Sequence, residues 1–385
     1  MKNNQDHKDH LCRKDFLVKS GHTLCLFTLG NSILIECVKD PLFSKSNEDK
    51  FKHLASHWKR LNKKTVQCYL CPNECVIEDG ERGACRVREN IDGKLYSLVF
   101  SRIAAIHTDP IEKKPLNHFL PGSKTLSVAT AGCNLSCKFC QNWQLSQSKP
   151  EDLNATRITP IALLRRAKSS RTPVIAFTYN EPTVQYEYII ETSRKAREMG
   201  LRSVIISNGY IKPDASKELM THLDGVKIDL KAFNEKFYNN ICGGNIYDVL
   251  KNLETVYASG NWLEIVTLVI PTLNDSPKEI REMARWVKQN LSPYVPMHFT
   301  RFHSMYLIRN LPPTPIKTLE RCREIAKSEG IKYAYIGNVP GHKWENTYCH
   351  NCNKRIISRS GFLSVKNHIK KGRCPYCKVK IPGIW

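Results

Sequence analysis

From residue 124 onward the chain alternates between two hydrophobic rhythms. Short runs at 126–130, 174–179, 203–207, 225–230, 263–270, 297–302 and 333–336 are apolar at nearly every position. Between them, at 184–199, 215–222, 247–259, 277–290 and 316–329, apolar residues recur every three or four positions. Continuous apolar runs read as strands buried on both faces, and the 3.6-residue rhythm reads as amphipathic helices covering them. The pattern predicts an α/β fold, a partial (β/α)6-type barrel of parallel strands. In such barrels chemistry sits at the C-terminal strand ends.

Polar residues gather at those ends. The second run closes on Thr178-Tyr179-Asn180-Glu181-Pro182, the third on Ser207-Asn208-Gly209, and the fourth on Lys227-Ile228-Asp229-Leu230-Lys231. The fifth leads into Asn274-Asp275, the sixth carries His298, Arg301 and His303, and the seventh ends in Gly337-Asn338. Any one of these is ordinary turn chemistry. Six in succession, beside the loop that follows the first run, predict a shared site.

That first loop reads Cys133-Asn-Leu-Ser-Cys137-Lys-Phe-Cys140. Three thiolates at this spacing suit three irons of a [4Fe–4S] cube, and no fourth cysteine follows nearby. An open iron is where a cofactor binds and exchanges an electron. The alternatives are a structural zinc or buried free thiols. Zinc needs a fourth short-range ligand, and so polar a segment makes poor core.

Two further cysteine groups flank the barrel. Cys349-x2-Cys352 and Cys374-x2-Cys377 read as a zinc ribbon, holding together a module too small for its own core. Cys68, Cys71, Cys75 and Cys85 form a compact four-thiol loop that suits zinc, an auxiliary iron–sulfur cluster or unliganded thiols, and the spacing does not choose. Cys12, Cys25, Cys37, Cys242 and Cys322 stand alone and read as incidental thiols. His350, inside the first ribbon knuckle, is expected to be exposed rather than a ligand.

Composition narrows the setting. Most of the sixteen cysteines are clustered, which suits metal binding in a reducing compartment and predicts a cytoplasmic protein. The formal charge of +23 raises an anionic partner, and the stretch from 343 to 385 alone carries ten Lys and Arg against one acidic residue. A solvated face is the plain reading of that run, because no base-reading motif or stacking aromatics accompany it. No apolar run is long enough to span a bilayer. Residues 1–50 read as an N-terminal extension with a degenerate twin-arginine-like leader pattern around Arg13-Lys14, without a small-residue cleavage site. Residues 51–123 form a Cys-rich segment, 124–342 the barrel and 343–385 the ribbon. The stretch 109–123 reads as an extended loop that crosses the open end of the barrel or acts as a linker, with Glu112 and His118 able to move protons there.

The Cys133 loop, with Phe139 just before its third cysteine, resembles the signature loop of radical S-adenosylmethionine (SAM) enzymes. That resemblance implies a radical SAM barrel, with SAM chelated through its methionine amino and carboxylate groups. An electron from an external flavodoxin- or ferredoxin-like donor then cleaves SAM to a 5′-deoxyadenosyl radical, which abstracts hydrogen from the substrate. By position Asn180 and Glu181 resemble the segment that binds the SAM ammonium, although the familiar Gly-Gly-Glu form is absent. Ser207 and Asn208 fall where ribose and carboxylate contacts come. Asp229 and Lys231 resemble the Asp-x-Lys of glycyl-radical-enzyme activases, with Lys231 facing the SAM carboxylate and Asp229 orienting it or the substrate. His118, Asp229 and Lys231 are the candidate catalytic residues.

From about residue 51 to 385 the chain is similar to the radical SAM enzyme of the AmmeMemoRadiSam system, a family related to pyruvate formate-lyase activating enzyme. The segments that carry this are Cys68-x2-Cys-Pro-x2-Cys, Gly83-Ala-Cys85-Arg-Val-Arg88, Asp109-Pro-Ile-Glu-Lys-Lys-Pro115, His118-Phe-Leu-Pro-Gly-Ser123, Cys140-Gln-Asn-Trp143, Tyr179-Asn-Glu-Pro182 and Ile336-Gly-Asn338. The expected function is a glycyl-radical-activase-like oxidoreductase that abstracts hydrogen from a protein or small metabolite. The alternative is a radical SAM enzyme that modifies RNA, motivated by the net charge. A non-catalytic scaffold would require zinc at the Cys133 loop, or a cluster there that lacks SAM.

Overall fold

Seven apolar runs form parallel strands laid side by side in sequence order, in a computed structural model that describes residues 49–362 and 364–385. The leader-like pattern, Cys12, Cys25 and Cys37 lie outside the described residues. The barrel strands are β1 (Ala105–Pro110), β2 (Lys124–Ala129), β3 (Val174–Phe177), β4 (Arg202–Ser207), β5 (Gly225–Asp229), β6 (Trp262–Val269), β7 (Met297–Arg301) and β8 (Ala334–Gly337). Their spatial order runs from β8 to β1 without a crossover, and β1 alone is antiparallel. The sheet ends at β8 and β1, so this is the expected partial barrel. β1 escapes a reading based on apolar runs, because Ala105-Ile-His-Thr-Asp-Pro110 is a polar edge strand.

Helices α1 (Pro160–Ser169), α2 (Tyr186–Glu198), α3 (Pro213–Met220), α4 (Ile246–Ala258), α5 (Pro277–Asn290) and α6 (Ile316–Ser328) connect the strands. Five match the expected stretches. The additional one, α1, carries its own signal: Thr159 caps it, Pro160 opens it, and Leu163, Leu164 and Ala167 are buried. Strand alternation divides the side chains of β5. Val226 and Ile228 join the core shared with the helices, while Lys227 and Asp229 face the barrel interior.

The stretch 109–123 does not cross the open end. After β1 it folds under the barrel, where Ile111, Leu116 and Phe119 pack with Val174, Ala176 and Val204. Phe119 lies so close to Gly225, the first residue of β5, that a Cβ there would meet its ring at 2.9 Å. Three large apolar side chains in a polar string are best buried, and the N-terminal ends of the strands offer the cavity to fill. The segment is a plug at the closed end.

The ribbon and the Cys-rich segment share one compact unit with the barrel. The Arg359 guanidinium donates to the Asn117 carbonyl at 2.7 Å, and the Ile384 amide donates to the His118 carbonyl at 2.8 Å. On the other side Arg88 and Glu187, both almost fully buried, pair at 2.5 Å and tie the Cys-rich segment to α2. Among the described residues no helix is long and apolar enough to cross a membrane.

Candidate active site

The loop after β2 is positioned by three backbone-level ties. Asn180 donates its amide to the carbonyls of Ala131 and Gly132 at 3.2 and 2.9 Å. The amides of Ser136 and Lys138 donate to the carbonyls of Cys242 and Ile241, both at 2.9 Å. Asn134 donates to the Tyr210 carbonyl. Held this way, Cys133, Cys137 and Cys140 line one cavity of about 280 Å3 together with Asn180, Glu181, Asn208, Lys227, Asp229 and Lys231. Among the described residues no other cysteine lines it. Cys242, buried beside Cys137, stays behind the loop. Burial pushes the Cys133 thiol well up, which favours the protonated form until a metal supplies positive charge.

Glu181 lines the same cavity as these thiols. Its Oε1 accepts the Thr183 amide at 3.0 Å and the Thr183 and Ser207 hydroxyls at 2.8 Å each, while Oε2 accepts only the Asn208 amide, at 2.7 Å. Burial raises this carboxyl, and the hydrogen bonds from Asn208, Thr183 and Ser207 offset only part of that rise. Ser207 therefore positions Glu181 and does not line the cavity. The Asn180 side chain is likewise spent on the cysteine loop.

At the end of β5 one carboxylate serves two lysines. Asp229 pairs with Lys227 through Oδ1 and with Lys231 through Oδ2, the latter at 3.4 Å. Burial alone would raise Asp229, but the two ammonium groups outweigh it and hold the carboxyl below its usual range. Lys231 is pushed well up because Asp229 and Cys137 outweigh its burial, whereas for Lys227 burial wins and the direction is down. The triad carries one surplus positive charge facing the cysteines. Lys227 was missing from the sequence candidates, yet period-two alternation puts it on the same face as Asp229. The cavity continues along Ile206, Val266, Leu268, Thr300 and Asn338.

His118 is not part of this cavity. It is fully buried in the plug, where Nδ1–H donates to the Pro382 carbonyl at 2.7 Å and Nε2 accepts the Tyr335 hydroxyl at 2.6 Å. Burial drops its pKa to about 4, so it is neutral, and its expected catalytic role is corrected to a structural one. Glu112 is buried beside Arg359 and caps the Gly122 amide. Nearer the site, the Tyr179 hydroxyl donates to Asp109, which also pairs with Lys114 at 2.6 Å. Burial lowers Lys114 to about 8.

The ribbon sulfurs converge as expected. Cys349 and Cys377 lie 3.6 Å apart, Cys352 and Cys374 lie 3.7 Å apart, and all four are within 4.8 Å of one another. His350 is half-buried and bonded to the Tyr333 hydroxyl at 2.8 Å, outside that group. A cavity of about 370 Å3 between α6 and the ribbon is lined by Arg323, Lys327, Lys332 and Trp344 and includes no residue of the Cys133 loop.

The family model of the Radical SAM superfamily matches residues 127–287, from β2 through most of α5. An uncharacterised protein of Methanocaldococcus jannaschii, MJ0808, is 41% identical over 329 residues, covering 85% of this chain and 98% of its own. The pyruvate formate-lyase-activating enzyme of Clostridium pasteurianum is 26% identical over 221 residues, 54% of this chain and 90% of its own. The pyruvate formate-lyase 1-activating enzyme of Escherichia coli K12 is 22% identical over 222 residues, 53% of this chain and 89% of its own. Together with three cysteines lining the C-terminal end of a partial parallel barrel, these matches establish that the chain belongs to the radical SAM superfamily, whose enzymes work with a [4Fe–4S] cluster and SAM.

Proposed function

We propose that Cys133, Cys137 and Cys140 hold the [4Fe–4S] cluster and that the facing residues hold SAM for hydrogen abstraction from a protein or small-metabolite substrate. The observation that carries this is one cavity with three thiols, a buried carboxylate with a lightly engaged oxygen, and a lysine pair with surplus positive charge. The donor set fits. Three thiols leave one iron for a chelating ligand, Glu181 Oε2 suits an ammonium, and the Lys227–Asp229–Lys231 triad suits a carboxylate. The chemistry supplied by the bound cluster and SAM is reductive cleavage and hydrogen abstraction.

The chain's own residues orient and neutralise. Ser207 and Thr183 hold Glu181 in place, Asn180 holds the start of the cysteine loop, and Asp229 pairs with both lysines in the cavity that the three cysteines line. The wall from Ile206 to Asn338 is the substrate side of the cavity. An external one-electron donor of the flavodoxin or ferredoxin type completes the system, and the four ribbon sulfurs hold zinc. The test is anaerobic reconstitution with SAM and a reductant, followed by mass spectrometry. Formation of 5′-deoxyadenosine and methionine, with label transferred from a deuterated extract into 5′-deoxyadenosine, is the expected result. Absence of SAM cleavage by fully loaded protein overturns the reading.

A further inference from the structure

The cysteine groups of this chain differ in one measurable respect, the spread of their sulfurs. A tetrahedral zinc with bonds of about 2.3 Å requires sulfur–sulfur edges of about 3.8 Å. The ribbon meets that requirement, with pairs at 3.6 and 3.7 Å. Among the described residues no other three thiol, imidazole or carboxylate groups bring ligand atoms within 4.8 Å of one another. The Cys133, Cys137 and Cys140 set is therefore wide, as thiolates bound to three different irons must be.

Cys68, Cys71, Cys75 and Cys85 follow the wide pattern. All four line one pocket, yet no three of them reach the spacing that a single zinc imposes. The rest of that pocket is Leu70, Ile77, Val184 and Gly83 with Asn73, Arg88, Asn134 and Thr183. No carboxylate or imidazole is among them, so sulfur is the ligand type on offer, and soft thiolates suit an iron–sulfur cluster.

The pocket also touches the first cysteine loop. Gly132 has a φ of +89° and lies so near the other segment that a Cβ would stand 2.6 Å from the Cys85 carbonyl. Asn73, between Cys71 and Cys75, donates to the Asn134 carbonyl at 2.9 Å. Asn208 then donates both to Asn134 Oδ1 at 2.9 Å and to the Cys133 sulfur at 3.7 Å. A hydrogen-bonded path thus joins the two sets of thiols.

We propose that Cys68, Cys71, Cys75 and Cys85 hold a second [4Fe–4S] cluster that relays electrons to the first. With four thiolates it has no open iron, so its chemistry is electron transfer rather than SAM binding. The electron balance is simple: the external donor reduces the second cluster by one electron, and the same electron passes to the first, leaving the second oxidised again. Arg88, in the pocket wall, offsets part of the cluster's negative charge. The relay rests on the Cys133 reading given above, while the metal content does not.

The deciding measurement is metal and sulfide analysis of the triple variant Cys133→Ala/Cys137→Ala/Cys140→Ala, produced anaerobically without later reconstitution. About four irons and four sulfides per chain should remain, with about one zinc, and the reduced protein should keep a cluster EPR signal that SAM does not perturb. Two zincs without iron, or ribbon zinc alone, overturns the second cluster. SAM cleavage by the single variant Cys75→Ser tests the relay. The ratio of flavodoxin-driven to dithionite-driven cleavage should fall about tenfold, and an unchanged ratio overturns it.

Discussion

Glu181 and Ser207 meet through a 2.8 Å hydrogen bond in which the hydroxyl donates to Oε1, fixing the carboxylate at the cavity wall while Oε2 accepts the Asn208 amide. A charged hydrogen bond in a partly desolvated site contributes about 1.5–3 kcal/mol. Glu181→Ala should therefore weaken SAM binding by about tenfold to a hundredfold, Glu181→Gln less, and Ser207→Ala by about fivefold, each with iron and sulfide unchanged. Titration of the reduced-cluster spectrum with SAM checks this. Wild-type affinity in Glu181→Ala would reduce the Tyr179-Asn180-Glu181-Pro182 segment to turn chemistry.

Each of Cys133→Ala, Cys137→Ala and Cys140→Ala should abolish reductive SAM cleavage, because two thiolates cannot hold the cube in position for its open iron. The readout is 5′-deoxyadenosine formed under dithionite. Cleavage retained in any of the three removes that residue from the ligand set.

Cys349→Ser or Cys377→Ser should lose about one zinc per chain and open the ribbon to protease after Gly341. The damage should reach the barrel plug, because Arg359 holds the Asn117 carbonyl and Ile384 bridges Leu120 and His118. Thermal unfolding should therefore shift downward as a whole. Unchanged zinc content would mean that something else binds the module together.

The Arg88–Glu187 pair is buried at both ends, so removing one partner strands a charge. Arg88→Ala should cost about 3–5 kcal/mol, whereas the double change Arg88→Met/Glu187→Leu should recover most of it. Denaturant unfolding of the three proteins gives the comparison. A fully additive double variant would show that the pair is not coupled.

His118 makes stability depend on pH. Its folded pKa, about 4, lies below the ordinary 6.5, so between those values the unfolded chain binds more protons. Stability from this residue is therefore complete above about pH 6.5 and is lost as the pH falls toward 4, amounting to about 3 kcal/mol at most. The charges of Glu264, Arg359 and His298 act on His118 from the elements packed against it. In His118→Phe the fall across this window should shrink. An unaltered profile would show that the acid sensitivity belongs to the other groups.

The order of strands and helices was legible because hydrophobic periodicity is a local property, and the parallel barrel follows from it with little choice left. That Cys133, Cys137 and Cys140 share one cavity was legible for the same reason: they lie within eight consecutive residues, so spacing alone constrains their geometry. Residues whose role depends on distant partners were not. His118 and Phe119 read as a polar loop by composition, yet burial of Phe119 against Gly225 draws the segment to the closed end of the barrel. Ser207 stands at a strand end like any ligand-binding residue, and only the fold shows that its hydroxyl is already committed to Glu181. Lys227 shares Asp229 with Lys231, so its importance comes from a charge balance that no single strand reveals. Cys68, Cys71, Cys75 and Cys85 stand close together in the sequence, but only the fold shows that all four line one pocket beside Asn134 of the first cysteine loop. The sequence by itself determined the barrel and the grouping of the first three cysteines, because both are written in short-range pattern. Tertiary structure decided the supporting residues, the plug and the neighbours of the second thiol group, because these depend on distances between segments that only packing brings together.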